Sequence, residues 1–195
     1  MLDAFIIQQC APMINHQLMQ SVISVESSHN PYAIGVVNAR LLRQPQNLAE
    51  AKVTAHYLEQ AGYNYSLGVA QVNRSNFNRF KLSLDNVFDT CTNLNAGGQI
   101  LAECLNRALI QGYQQQATHK ALSCYYAGQL NSRVGSQYAN KFLAKLTLIS
   151  STTEIISKTS NIDAHKHAGM DYLQARNIEA KPQTEPVGAV SAVVF

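Results

Sequence analysis

The sequence predicts a mainly α-helical domain, and three observations lead there. Apolar residues recur every three or four positions in several separate stretches, the spacing of a helix with one buried face. A proline or glycine marks the end of several of those stretches. No convincing alternation of apolar and polar residues competes with them. The 195 residues are 46% hydrophobic and 14% charged, which supports a packed core and excludes a disordered chain. That length suits one domain, assigned to residues 1–149, followed by a linker and flexible tail over 150–195.

The first strong helix is predicted from about Pro12 to His29, on Ile14, Leu18, Val22 and Val25. Pro12 sits in the first turn, where its missing N–H goes unmissed. The helix ends at His29-Asn30-Pro31, because a residue before proline is pushed out of the helical region. Residues 31–46 read as irregular. Leu48, Ala51, Ala55 and Leu58 mark a second helix stopped by Gly62, and 63–73 is a turn-rich connector. A short helix is expected near Ser75–Phe80 and another opening at Asp85, a good N-cap type. A long helix over about Asn93–Gln111 carries Leu94, Leu101, Leu105 and Ala108. Gly97-Gly98 lies inside it at about 1 kcal/mol per glycine, which close approach of another backbone would explain. Two more helices follow, Thr118–Ala127 ending at Gly128, and Val134–Leu148 with Val134, Tyr138, Phe142 and Leu146 on one face. Ser150–Ser160 is Ser/Thr-rich and reads as a linker.

Charge and cysteines narrow the function classes. Residues 1–149 hold 11 basic and 7 acidic residues, and 150–195 hold 4 and 5. The weakly basic body suits an acidic polymer, while the lack of any Lys/Arg run argues against nucleic acid. No segment approaches the ~20 apolar residues of a membrane span. Leu2–Ile7 is apolar but interrupted by Asp3 and lacks a basic start, so it does not read as a secretion signal. Cys10, Cys91, Cys104 and Cys124 show no C-x-x-C spacing, so neither metal nor cofactor is expected; His165 and His167 in the tail read as solvated. Four cysteines allow three pairings, or none. With no Trp, any sugar-stacking platform must be Tyr or Phe.

Glu26 is the candidate for chemistry. It follows Val22 by four residues, so it falls on the apolar stripe of its helix. A carboxyl there is desolvated, its pKa is raised, and it stays protonated near neutral pH, as a general acid must. On spacing alone, a glutamate near a helix end is ordinarily solvated or hydrogen-bonded. Its position in the last turn before a chain reversal favours a cleft wall. Glu50, Asp85 and Asp89 are not placed by spacing to act with it, so a single-carboxylate mechanism is the simpler expectation.

Three segments carry a resemblance. Val25-Glu26-Ser27-Ser28-His29-Asn30-Pro31-Tyr32-Ala33-Ile34-Gly35 resembles the catalytic motif of lytic transglycosylases of the goose-lysozyme-like superfamily. Gly68-Val69-Ala70-Gln71-Val72-Asn73 resembles their G-L-M-Q-I-N motif, and Cys124-Tyr125-Tyr126-Ala127-Gly128 resembles their A-Y-N-A-G motif. The order holds across residues 10–145. The stretches Ala33–Val37, Glu50–Gly62 and Phe88–Leu94 resemble most closely the specialised transglycosylases of type IV secretion and conjugation systems.

The resemblance implies a lysozyme-like helical fold and cleavage of the MurNAc–GlcNAc bond of peptidoglycan with a 1,6-anhydro-MurNAc product. It further implies action in the periplasm, peptidoglycan glycan strands and secretion-system components as partners, and local opening of the wall. Residue by residue it implies Glu26 as acid/base and Ser27 as a substrate contact. Gln71 and Asn73 become amides for sugar groups, Tyr125 the hydroxyl that orients the carboxyl, and Tyr126 a phenol in place of the usual asparagine amide. Val69-Ala70 replace Leu-Met, which would remove bulk from one wall, and Ser66 stands where many relatives carry Asp. Cys10 and Cys91 sit where relatives often pair cysteines; Cys104 and Cys124 either pair or stay buried thiols. The alternatives are a glycan-binding assembly factor with little catalysis, which the tail motivates, and a hydrolysing lysozyme.

Overall fold

A computed structural model describes residues 2–144. The expected tail, including His165 and His167, and the end of the last expected helix lie outside the described residues. The order of elements is α1 (Ala4–Cys10), α2 (His16–Glu26), β1 (Ile34–Val36), α3 (Leu48–Gln60), β2 (Tyr65–Leu67), β3 (Val72–Asn73), α4 (Thr90–Ile110), α5 (Ala117–Ala127) and a helix over 133–144, α6. Short 3-10 turns occupy Arg74–Asn76 and Gln114–Gln116. The fold class is mainly α, as the sequence predicts.

Several boundaries differ from expectation, each for a local reason. Helix α2 starts at His16, not Pro12, because Asn15 caps it by accepting hydrogen bonds from the backbone of Gln17 and Leu18. It stops at Glu26, three residues early. Ser28 and His29 take left-handed φ angles of 52° and 65°, which turn the chain before Pro31 is reached. Asp85 lies in a turn and opens no helix. Asp89 caps α4 instead, accepting from Thr92 N at 2.8 Å. The Ser75–Phe80 helix is reduced to the 3-10 turn at Arg74–Asn76. Helix α1 was not expected at all; Asp3 caps it.

The absence of strands is also corrected. The three strands form an antiparallel sheet in the order β1-β2-β3, with Gly35 opposite Ser66 and Ser66 opposite Asn73. Strands of two or three residues are too short for alternation to register, and β2 is buried along its whole length.

Helix α4 runs through the centre, packed on α5, α1 and the sheet. Its glycines are explained by contact. A Cβ on Gly97 would lie 2.5 Å from the Ala70 Cβ, and one on Gly98 would lie 2.8 Å from the Ala11 Cβ. Two disulfides, Cys10–Cys91 and Cys104–Cys124, fasten α1 and α5 to α4. The first is the pair the resemblance implies; the second resolves the choice left open. Tyr65 and Arg74 both bond the Glu59 carboxylate, which ties α3 to the sheet.

Candidate active site

The site begins with the stripe on α2. Its buried positions are Met19, Val22, Ile23 and Glu26, so a carboxyl occupies the last place of an apolar row. Glu26 is 8% exposed. Burial raises its pKa from the ordinary 4.5 to about 7, against a smaller opposing pull from a hydrogen bond donated by Tyr138. Its place in the last turn, at the negative end of the helix dipole, disfavours the ionised form as well.

The donor is the Tyr138 hydroxyl, 2.5 Å from Glu26 Oε1. It was missed in the sequence because Tyr138 belongs to the apolar stripe of its helix and reads as core. One signal was available. A phenol on a buried stripe must bring its hydroxyl to a partner, and a buried carboxyl on another stripe was looking for a donor.

The residues expected to serve the site divide into two groups. Tyr125 does not hold the carboxyl. It is 2% exposed and donates to the backbone oxygen of Ala70 at 2.6 Å, although it lies near enough to Glu26 for the two to interact electrostatically. Asn73 is fully buried, donates to Asn64 Oδ1 at 2.8 Å and to Ser66 Oγ at 3.3 Å, and caps the 3-10 turn through Ser75 N. Both N–H donors of this amide are therefore spent inside the protein. Gln71, at a left-handed φ of 51°, donates its NH2 to the Ala33 and Gly68 carbonyls at 3.0 and 2.9 Å. These three side chains build the frame. Val69 and Ala70 are fully buried too and form no open wall, and Ala70 lies directly against Gly97. Ser27, 9% exposed, follows Glu26 as the helix cap, and its hydroxyl donates to Ile23 O at 3.0 Å. Tyr126 is half-buried, its ring stacked on that of Tyr138.

The three motifs are thereby joined in space. Gln71 and Gly68 bond Ala33, linking the second segment to the chain that leaves Glu26. Tyr125 links the third to the second. Asn93 of α4 is the hub beneath them: it accepts from Ala70 N at 2.8 Å and donates to Leu67 O and Val87 O at 2.9 and 3.0 Å. A Cβ on Gly68, at φ 82°, would strike the Asn93 amide, so only glycine fits there.

The other six carboxylates among the described residues are engaged elsewhere. Asp3 and Asp89 cap helices, and Glu50, Glu59, Asp85 and Glu103 pair with Arg43, Arg74, Lys52 and Arg79. None is bonded to Glu26 or to its partner Tyr138. No group of three or more potential metal ligands occurs among the described residues.

The helical domain thus carries one buried carboxyl at the end of a core helix, its pKa pushed up by burial. Residues 3–147 match the transglycosylase SLT domain, and the chain belongs to that family. It is 50% identical over 123 residues to the type IV secretion system protein virB1 of Brucella abortus and to that of Brucella suis, covering 62% of this chain and 52% of theirs. It is 23% identical over 134 residues to protein virB1 of Agrobacterium fabrum, covering 69% and 55%. The chain therefore spans about half the length of the relatives it matches. No solved structure matches it.

Proposed function

We propose that the chain is a peptidoglycan lytic transglycosylase with Glu26 as its single acid/base. The observation that carries this reading is a carboxyl buried at the end of α2 within the transglycosylase SLT domain, its pKa pushed up by that burial, with every other described carboxylate committed elsewhere. Glu26 enters protonated and gives its proton to the oxygen of the β-1,4 bond between MurNAc and GlcNAc as that bond breaks. The carboxylate left behind takes the proton of the MurNAc C6 hydroxyl, whose oxygen closes onto C1. The product is 1,6-anhydro-MurNAc, no water is consumed, and Glu26 is reprotonated for the next turnover. The Tyr138 hydroxyl stabilises the ionised intermediate state, in which its hydrogen bond becomes charge-assisted. Ser27, beside Glu26, is the proposed sugar contact, through the lone pairs its hydroxyl keeps while donating to Ile23 O.

The relatives named as type IV secretion system proteins support a role at such a system, opening the wall in the periplasm for its channel. The test is digestion of purified sacculi by wild type and by Glu26→Gln, with products identified by mass. Anhydro-muropeptides from wild type alone are expected. Reducing-end products would mean a hydrolysing lysozyme, and equal cleavage by both proteins would remove Glu26 from the chemistry.

A further inference from the structure

The third segment departs at Tyr126 from the A-Y-N-A-G motif it resembles, and the departure has a geometric counterpart. The Tyr126 ring lies 4.5 Å from the Tyr138 ring, centroid to centroid, with 13° between the planes. Tyr138 also meets Phe142, one turn on along α6, at 6.0 Å and 42°. Its hydroxyl is the one that reaches Glu26. The stack bridges α5 and α6 across the turn at Gly128, whose left-handed φ of 75° reverses the chain between them.

We propose that Tyr126 is a positioning residue, which fixes the Tyr138 ring by stacking and through it the carboxyl of Glu26. A phenol tied down only at its hydroxyl keeps rotational freedom about its side-chain bonds. One held at the tip and across its face has a single orientation. An asparagine at 126 offers no ring face, so the hydroxyl would donate to Glu26 for part of the time only. Tyr126 therefore acts on the acid and not on the sugar. This inference rests on Glu26 being the acid/base.

The two roles separate by experiment. In the full chain, Tyr126→Asn is expected to lower kcat about fivefold, the factor one aromatic pair is worth, with KM unchanged. Tyr126→Phe keeps the ring and should retain wild-type rates. Adding Tyr126→Asn to Tyr138→Phe should cost nothing further, because the hydroxyl it serves is already gone. Multiplicative losses in the double variant, or a raised KM with kcat intact, would overturn the proposal in favour of direct sugar contact. Tyr126→Leu, which keeps apolar bulk without an aromatic face, takes the place of Tyr126→Asn if that variant does not fold. A readout independent of cleavage completes the test, namely NMR titration of the 13C-labelled Glu26 carboxyl. Tyr126→Asn should move its midpoint upward, as Tyr138→Phe does, since both weaken the bond to the carboxylate; Tyr125 and Tyr138 are the ionisable neighbours. An unchanged midpoint overturns the positioning role even if Glu26 proves catalytic. A shifted midpoint in a protein that cleaves nothing would uphold the positioning and refute the enzymatic reading.

Discussion

Replacing Glu26 by glutamine should stabilise the protein in alkaline solution and leave it unchanged in acid. The folded carboxyl titrates at about 7, against 4.5 when solvated. Below pH 4.5 the group is protonated folded and unfolded, and burial carries no ionisation penalty. Between 4.5 and 7 the unfolded chain releases its proton while the folded one keeps it, so stability falls as pH rises. Above 7 both states are ionised and the loss is complete. Raising a midpoint from 4.5 to about 7 corresponds to about 3 kcal/mol. Glutamine never ionises and still offers Tyr138 an oxygen, so it escapes that loss. Urea unfolding of both proteins from pH 4 to pH 8.5, with disulfides intact, measures it. The curves should coincide at pH 4 and differ by about 3 kcal/mol at pH 8.5, roughly 6–12 °C in Tm for a domain of this size. A stability difference constant across pH would refute the argument, since it would mean that Glu26 is not desolvated in the fold. The same burial that readies the acid would thus weaken the fold at the pH where it works.

Other perturbations test the frame. Tyr138→Phe removes the donor but not the burial, so the alkaline limb of kcat/KM, where Glu26 loses its proton, should move upward by about one pH unit; a limb that stays put or moves to lower pH contradicts the assigned bond. Asn93→Ala strands the Ala70 N–H and the Leu67 and Val87 carbonyls in a dry interior, and chemical denaturation should register a loss of about 3 kcal/mol or more. Gly97→Ala gains about 1 kcal/mol of helix propensity yet forces its Cβ against Ala70; thermal melts should show net destabilisation of roughly 1–2 kcal/mol. Opening Cys10–Cys91, which spans 81 residues, should cost roughly 4 kcal/mol, against roughly 3 for the 20-residue span of Cys104–Cys124, as paired Cys→Ala variants can compare.

The sequence by itself determined the helical class, the long central helix and the burial of Glu26. Each follows from periodicity, and a residue four places from Val22 on a helix must share its face. The motif order likewise named the segments that assemble. What it left open was which atom meets which. Tyr125, Asn73 and Gln71 have the chemistry to serve a sugar, but their bonds go to Ala70, Asn64 and Ala33, partners 9 to 55 residues away along the chain. Tyr138 reaches Glu26 across 112 residues, a distance no local pattern encodes. The small sheet escaped notice because strands this short are specified by their neighbours. Local spacing fixes the face a side chain occupies; only the tertiary contact that brings α6 to the end of α2 decided which hydroxyl reaches the buried acid.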